Sequence, residues 1–282
     1  MKSNDQRVWL VTGCSTGFGR HIAGHLLDIG QKVVVTARKP HQIQDLAQRG
    51  DALILPLDVT DPAQTRDAVQ QAEARFGRVD VLVNNAGIGY FAAVEESDEA
   101  QVRAMFEVNL FGAASTIRAV LPGMRRRRSG TIVNLTSVGG LEGFPAVGFY
   151  CATKYAVEGL SDSLRIETAP LGIHVMTVEP GAFRTEWAGS SIEAAGTIAD
   201  YDATAGEARR AYRDSVGQQP GDPTRAAQAI ASAVLSTNPP KRLLLGNDAY
   251  TVAMAKLEEM GREFRAWETL TRSTEFTDAS RN

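Results

Sequence analysis

Runs of Val, Leu and Ile recur along the chain at 8–11, 32–37, 53–57, 79–83, 131–135, 173–178 and 242–245. Each is short, unbroken and closed by glycine, proline or polar residues, the pattern of a strand buried on both faces. Between the runs, apolar residues return every three or four positions over 18–29, 42–48, 62–76, 97–128, 149–169, 224–235 and 250–267, the period of a helix with one inward face. Asp61 followed by Pro62 supplies an N-cap and a proline at the first helical position. Strands alternating with helices imply an α/β fold with a parallel sheet covered on both faces. The stretch 182–223 breaks the pattern, with many alanines and glycines and few long apolar runs, and is expected to be loop or short helix serving as a substrate lid that, with Phe144, Val147 and Trp187, makes the pocket mainly apolar. A polar tail after 267 is expected to be mobile. No internal repeats occur, and one domain over 1–282 is expected.

Composition narrows the classes of function. At 282 residues and 43% hydrophobic content the chain can build a full-sized core. Thirty basic against thirty-three acidic residues give a net charge of -3, which supplies no field for nucleic acid or an anionic membrane. No apolar run approaches the ~20 residues of a membrane span, and the polar start carries no signal-peptide core. Cys14 and Cys151 have neither the number nor the spacing for a disulfide framework or a zinc site, so no metal is expected and a cytoplasmic, reducing location is.

Chemistry concentrates at strand ends and on one helix. Tyr150 and Lys154 stand four residues apart, so they share a helix face, and a fixed positive charge near a phenol favours its ionised form. That pairing suits proton transfer to or from a carbonyl or alcohol oxygen while another group moves a hydride. The first strand runs into Thr12-Gly13-Cys14-Ser15-Thr16-Gly17-Phe18-Gly19 and then a helix. Its spacing is not the common dinucleotide fingerprint, yet a glycine-rich loop feeding a helix N-terminus is suited to a pyrophosphate. Asn84-Asn85-Ala86-Gly87 follows the fourth strand and Thr136-Ser137 the fifth, where a doubly wound sheet carries its ligands. Asn109 lies in the apolar middle of the long helical segment and needs polar partners if buried. Arg125 to Arg128 end that segment, where cations answer the negative end of the helix dipole, so they are not a nucleic-acid patch.

Taken together, Thr12-Gly13-x-x-x-Gly17-x-Gly19, Asn84-Asn85-Ala86-Gly87, Asn109, Ser137 with Tyr150-x-x-x-Lys154, and Pro180-Gly181 with Thr185 resemble the short-chain dehydrogenase/reductase family in its single-domain branch. The resemblance covers roughly residues 7–188. Thr12-Gly13-Cys14-Ser15 and Glu179-Pro180-Gly181 look most like hydroxysteroid and retinol dehydrogenases. It implies a doubly wound Rossmann-type three-layer fold with strand order 3-2-1-4-5-6-7, and a homodimer or homotetramer built on the helices at 97–128 and 149–169. It further implies that Tyr150 is the acid or base, that Lys154 lowers its pKa and bonds the nicotinamide ribose, and that Ser137 positions the substrate oxygen. Asn109 would hold a water linking Lys154 to solvent. Gly13, Gly17 and Gly19 would shape the pyrophosphate loop, Asp58 would meet the adenine, and Asn85, Ala86 and Gly87 would line the cofactor. Pro180 and Gly181 would lead to Thr185 at the carboxamide. Phe18 departs from the smaller aliphatic residue more usual in the family and should alter packing under the loop.

Cofactor choice is read from Thr36-Ala37-Arg38-Lys39, about twenty residues past the glycine loop, where an NAD-preferring protein usually carries an acid. None is present, and Arg38, with Ser15 in the loop opposite, suits a 2′-phosphate. The expectation is an NADP-dependent oxidoreductase interconverting a carbonyl and an alcohol, on a hydrophobic small-molecule substrate, with no nucleic-acid or membrane partner. A cofactor-sensing or scaffold protein of the same fold, and an NAD-dependent epimerase or dehydratase, stand as alternatives.

Overall fold

The computed structural model describes residues 6–276, and the expectations for 1–5 and 277–282 lie outside the described residues. Seven apolar runs become strands: β1 (Val8–Val11), β2 (Lys32–Ala37), β3 (Ala52–Pro56), β4 (Val81–Asn84), β5 (Gly130–Leu135), β6 (Ile173–Pro180) and β7 (Arg242–Leu245). They form one parallel sheet in the order β3-β2-β1-β4-β5-β6-β7, as the resemblance implied. The helices are α1 (Gly17–Asp28), α2 (Pro62–Phe76), α3 (Glu99–Arg127), α4 (Gly148–Thr168), α5 (Pro223–Leu235) and α6 (Asn247–Ala266).

Side-chain alternation along the strands divides the core into two layers. Trp9, Val11, Val33, Val35, Val133 and Met176 pack with Ile22 and Leu26 of α1 and Ile230 of α5. Leu10, Val34, Leu82, Ile132 and Val175 pack on the other face with Val69 of α2, Ile117 of α3 and Leu164 of α4. Both faces are therefore dry, which is why the strands read as continuous apolar runs rather than alternating ones. Asp61 caps α2 by accepting from Ala63 N at 2.8 Å, as its position before Pro62 predicts.

The structure adds detail to four local expectations. The 42–48 segment is a 3-10 helix over Pro40–Gln48. The helix Glu99–Arg127 is, by length and composition, apolar enough to cross a membrane, contrary to the absence expected; here Met105, Ile117, Val120 and Met124 turn inward as protein core. Residues 182–223 are loop and short helix as expected: Trp187–Ser190 and Glu207–Asp214 are helical, and Ile192–Glu193 pairs in parallel with Tyr90–Phe91. Arg213 holds that segment by donating to the backbone oxygens of Ala188, Gly189 and Ser191. After 267 the chain continues as Glu268–Arg272, a further helical turn. The first half of α6 meets the body through buried Ala249 and Ala253 and through Lys256, which pairs with Glu142 at 3.4 Å, while Leu257, Phe264 and Trp267 are exposed.

The basic run at the end of α3 binds backbone. Arg127 donates to Val79 O at 2.7 Å and Arg128 donates to Pro170 O. These bonds tie the helix terminus to the amino-end edge of the sheet, remote from the carboxyl ends where β1, β4, β5 and β6 deliver the site. Between β1 and β4 the strand order reverses, the crevice where doubly wound sheets bind ligands.

Candidate active site

The loop after β1 is folded against the loop after β4. Gly13 has φ 70° and Gly17 φ 56°, a backbone region that L side chains rarely adopt. A Cβ on Gly13 would also fall 2.9 Å from the Ala86 Cα, so the two loops can touch only through glycine. Thr12, which is buried, accepts from both Asn85 N and Ala86 N at 3.0 Å, while the Asn85 amide donates to Thr12 O and Gly13 O at 2.8 and 3.0 Å. Asn85 and Ala86 thus brace the glycine loop. Gly19 closes on the same place, against Asn85 and Gly13.

Thr16, the N-cap of α1, makes no side-chain capping bond, so no capping side chain claims the first-turn N–H groups at the mouth of the crevice. Free donors and the positive end of the helix dipole fit a diphosphate there. Cys14 N donates to Thr36 O at 2.8 Å, which seats the loop beside the end of β2. Ser15 and Arg38 therefore flank one edge of the crevice; Arg38 is exposed and has no hydrogen-bond or ion-pair partner among the described residues. Asp58 follows β3, where its carboxylate accepts from Thr60 N and Thr60 Oγ1 at 3.0 and 2.7 Å. Thr185 lies across from Gly17, whose Cβ would come 3.5 Å from the threonine Cβ. Pro180 ends β6, and Gly181 N donates to Leu245 O at 2.9 Å, which directs the chain over the crevice toward Thr185. These residues fit a dinucleotide: glycine clearance, free helix donors and a guanidinium just past the end of β2.

Ser137, Tyr150 and Lys154 converge at the ends of β5 and α4. Ser137 Oγ accepts from Gly139 N at 3.0 Å, and a Cβ on Gly139 would lie 3.4 Å from that oxygen and 3.6 Å from the Tyr150 ring. Lys154 is buried and donates from Nζ to Leu135 O at 2.9 Å. Gly87 faces the same point, with its Cβ position 3.3 Å from Asn109 Oδ1 and 3.8 Å from Lys154 Nζ. Asn109 sits in a π-helical turn, Glu107–Gly112, which widens α3 at this level. Its Oδ1 accepts from Ile88 N at 2.8 Å, and its Nδ2 donates to Ile88 O and to Thr153 Oγ1 at 2.9 and 3.1 Å. The buried amide is well partnered, and it braces the stretch after Gly87 against α4.

The electrostatics differ from the expectation for the Tyr150 and Lys154 pair. Burial pushes the Tyr150 phenol well above its ordinary range, and the neighbouring Ser137 pulls it part of the way back. Lys154 does not counter that burial, since its ammonium bonds Leu135 O and stands 5.6 Å from the Tyr150 ring centre. Burial lowers the lysine itself to about 8, against the opposing attraction of Glu158. What encloses the phenol came from outside the motifs: Trp187 packs on Tyr150 with ring centroids 4.8 Å apart, and Phe91 stands between Trp187 and Tyr212 at 5.4 and 5.2 Å. Phe144, Val147 and Ala188 complete this apolar wall. Phe18 packs against Phe183 with ring centroids 5.1 Å apart and planes tilted by 57°, joining the glycine loop to the start of the covering segment. Phe91 and Tyr212 carry no sequence signal, because both lie outside any periodic run. Cys14 and Cys151 are free and buried, with burial pushing the Cys14 thiol up to about 12.

The short chain dehydrogenase family model matches residues 7–195. The chain is 38% identical to Oxidoreductase BOA17 of Botryotinia fuckeliana, over 94% of this chain and 97% of that one. It is 37% identical to a 3-ketodihydrosphingosine reductase of Bacteroides thetaiotaomicron, over 85% and 88%. Human retinol dehydrogenase 8 is 38% identical, over 84% and 80%. Among solved structures, a short-chain dehydrogenase from Streptomyces avermitilis superposes with a TM-score of 0.89 at 42% identity, covering 96% and 100%. An alcohol dehydrogenase from Thermococcus sibiricus complexed with 5-hydroxy-NADP superposes with a TM-score of 0.71 at 27% identity, over 85% and 96%. A Burkholderia phymatum short chain dehydrogenase/reductase in complex with NAD gives 0.81 at 25%, over 93% and 97%.

Proposed function

This chain belongs to the short-chain dehydrogenase/reductase family of oxidoreductases, and from that premise we propose that it interconverts a hydrophobic ketone or aldehyde with its alcohol, using NADP in preference to NAD. The observation that carries the reading is the meeting of Ser137, Tyr150 and Lys154 beneath the Phe91, Trp187 and Tyr212 wall, beside a crevice with dinucleotide fit. A nicotinamide held in that crevice would supply or accept the hydride. Tyr150 gives the proton to the substrate oxygen, or takes it, and Ser137 holds that oxygen by a hydrogen bond. Lys154 Nζ lies beside Gly87, where it would bond a nicotinamide ribose and carry the proton onward. Since the Asn109 side chain is committed to Ile88 and Thr153, a water at this level would be held by the backbone of the π turn.

Support for an apolar substrate comes from the aromatic wall and from two relatives, named for a ketone and an alcohol that both carry long apolar bodies. Support for NADP comes from Arg38, exposed and unpaired at the end of β2 with no acid beside it. The test is a panel of aliphatic, sphingoid and retinoid carbonyls and alcohols, followed by cofactor absorbance, with Tyr150→Phe as control. The variant should keep its fold and cofactor binding and lose about two or more powers of ten in kcat. Full turnover by Tyr150→Phe, or a preference for small charged hydroxy acids, would overturn the reading.

A further inference from the structure

Two buried carboxylates behind the site take no part in that chemistry. Glu158 lies one turn beyond Lys154 on α4, and Glu179 precedes Pro180 at the end of β6; they are 6% and 0% exposed. Each has one oxygen well satisfied: Thr136 Oγ1 donates to Glu158 Oε1 at 2.6 Å, and Thr177 Oγ1 donates to Glu179 Oε1. The other oxygen of each, Glu158 Oε2 and Glu179 Oε2, is buried with no hydrogen-bond partner. Arg242 Nε comes only to 3.5 Å from Glu158 Oε2, because its Nη2 is committed to both oxygens of Asp162 at 2.7 Å.

Two ionised carboxylates in contact and out of water repel each other and leave two acceptors empty. One proton between them removes both defects, since a carboxylic acid O–H on Glu179 donates to the free oxygen of Glu158. Burial, and after it the neighbouring Glu158, push Glu179 up to about 7 against the opposing pull of the Thr177 hydrogen bond and of Arg242. The charged and titratable groups facing the pair are Lys154 and Asp162 from α4 and Arg242 from β7, with Thr136 from β5 and Thr177 from β6 supplying hydroxyls.

We propose that Glu158 and Glu179 share a single proton, and that this carboxyl–carboxylate bond positions the active site by holding the Ser137 end of β5, the Lys154 turn of α4 and the Pro180-Gly181 end of β6 together. The positioning half rests on the site reading given above; the shared proton does not. Thr136 adjoins Ser137, Glu158 follows Lys154 and Glu179 adjoins Pro180, so losing the proton drives apart the three elements that would grip substrate and nicotinamide.

The sign of the pH effect follows from the raised Glu179 value. Its contribution to stability is complete below the unfolded value of 4.5 and is lost as pH rises through about 7. Glu179→Gln mimics the protonated form, since the amide accepts from Thr177 and donates to Glu158 at every pH. Infrared difference spectra of the wild type between acid and alkaline pH should show a buried protonated carboxyl that titrates near neutrality and is missing from Glu179→Gln. Thermal melts should show the wild type losing Tm relative to the variant over the same interval. Titrations with NADPH and NADH, read by nicotinamide fluorescence, should weaken on the order of threefold or more above neutrality in the wild type and less in the variant. Lys154 titrates in both proteins, so the difference between them isolates the pair. A wild type without the carboxyl band, or a variant that keeps it, overturns the shared proton. Equal pH dependence of cofactor binding in the two proteins overturns the positioning role. The infrared reading needs neither substrate nor variant, so it stands if Glu179→Gln does not fold and separates failure here from failure of the proposed reaction.

Discussion

Trp187 covers Tyr150, ring centroid to ring centroid at 4.8 Å and an interplanar angle of 51°. The indole belongs to the segment that follows β6 and the phenol to α4, so the contact makes the covering segment and the site one unit. Removing the indole should readmit water to the phenol. Trp187→Ala is expected to move the Tyr150 pKa down toward that of an ordinary tyrosine, because burial is the main cause of its elevation. The measurement is an ultraviolet tyrosinate titration, taken as the difference from a Tyr150→Phe background so that Tyr212 cancels. An unchanged titration would mean that other walls desolvate the phenol. The accompanying stability loss should stay within about 3 kcal/mol, since the indole is only half-buried.

Cofactor preference is testable at the end of β2. Ala37→Asp with Arg38→Leu should turn preference toward NAD, by repulsion of the 2′-phosphate as much as by loss of the guanidinium. Ala37 is buried and Arg38 exposed, so the aspartate needs a small rearrangement of the strand end, and Tm should be checked first. The ratio of kcat/KM for NADP over NAD should exceed one in the wild type and fall by at least about tenfold in the variant. A wild-type ratio below one would remove Arg38 from the argument.

Lys154 should leave a signature in stability against pH. Burial depresses its folded value to about 8 from 10.5, so the unfolded chain binds the proton more tightly. The stability linked to this group is present above 10.5 and is lost as pH falls through about 8. Wild-type Tm should therefore rise relative to Lys154→Met as pH increases across that window. Parallel melting curves for the two proteins would show that the ammonium is solvated in the folded state.

A homo-oligomer remains the expectation for the α3 and α4 surfaces. Phe111 is 54% exposed on α3 and Ile166 78% exposed on α4, while Phe106 and Leu160 are half-buried. Light scattering at micromolar concentration should give a dimer or tetramer, and Phe111→Glu should shift it toward monomer. A wild-type monomer mass would sink the proposal.

The legible part of this protein is what contiguous residues settle among themselves. Doubly buried strands need unbroken apolar runs, so all seven could be read from Val8 to Leu245. A loop that must press on Ala86 needs glycine at position 13, and a pair four apart on a helix shares a face wherever the helix goes, so the glycine loop and the spacing of Tyr150 with Lys154 were visible too. Boundaries were less legible: β4 starts at Val81 rather than 79, and the Val79 carbonyl instead accepts from Arg127 at the end of α3. What only tertiary structure decided is which distant groups meet and which of them lose water. Trp187 lies in a stretch without periodicity, yet it packs on Tyr150, where burial raises the phenol against the direction expected. Asn109 finds its partners on Ile88 and Thr153, and Glu158 finds Glu179, across elements joined only by the packing of the sheet and its helices. Periodicity and steric fit are properties of neighbouring residues, whereas desolvation and charge coupling depend on everything within a few ångströms, whatever its place in the chain.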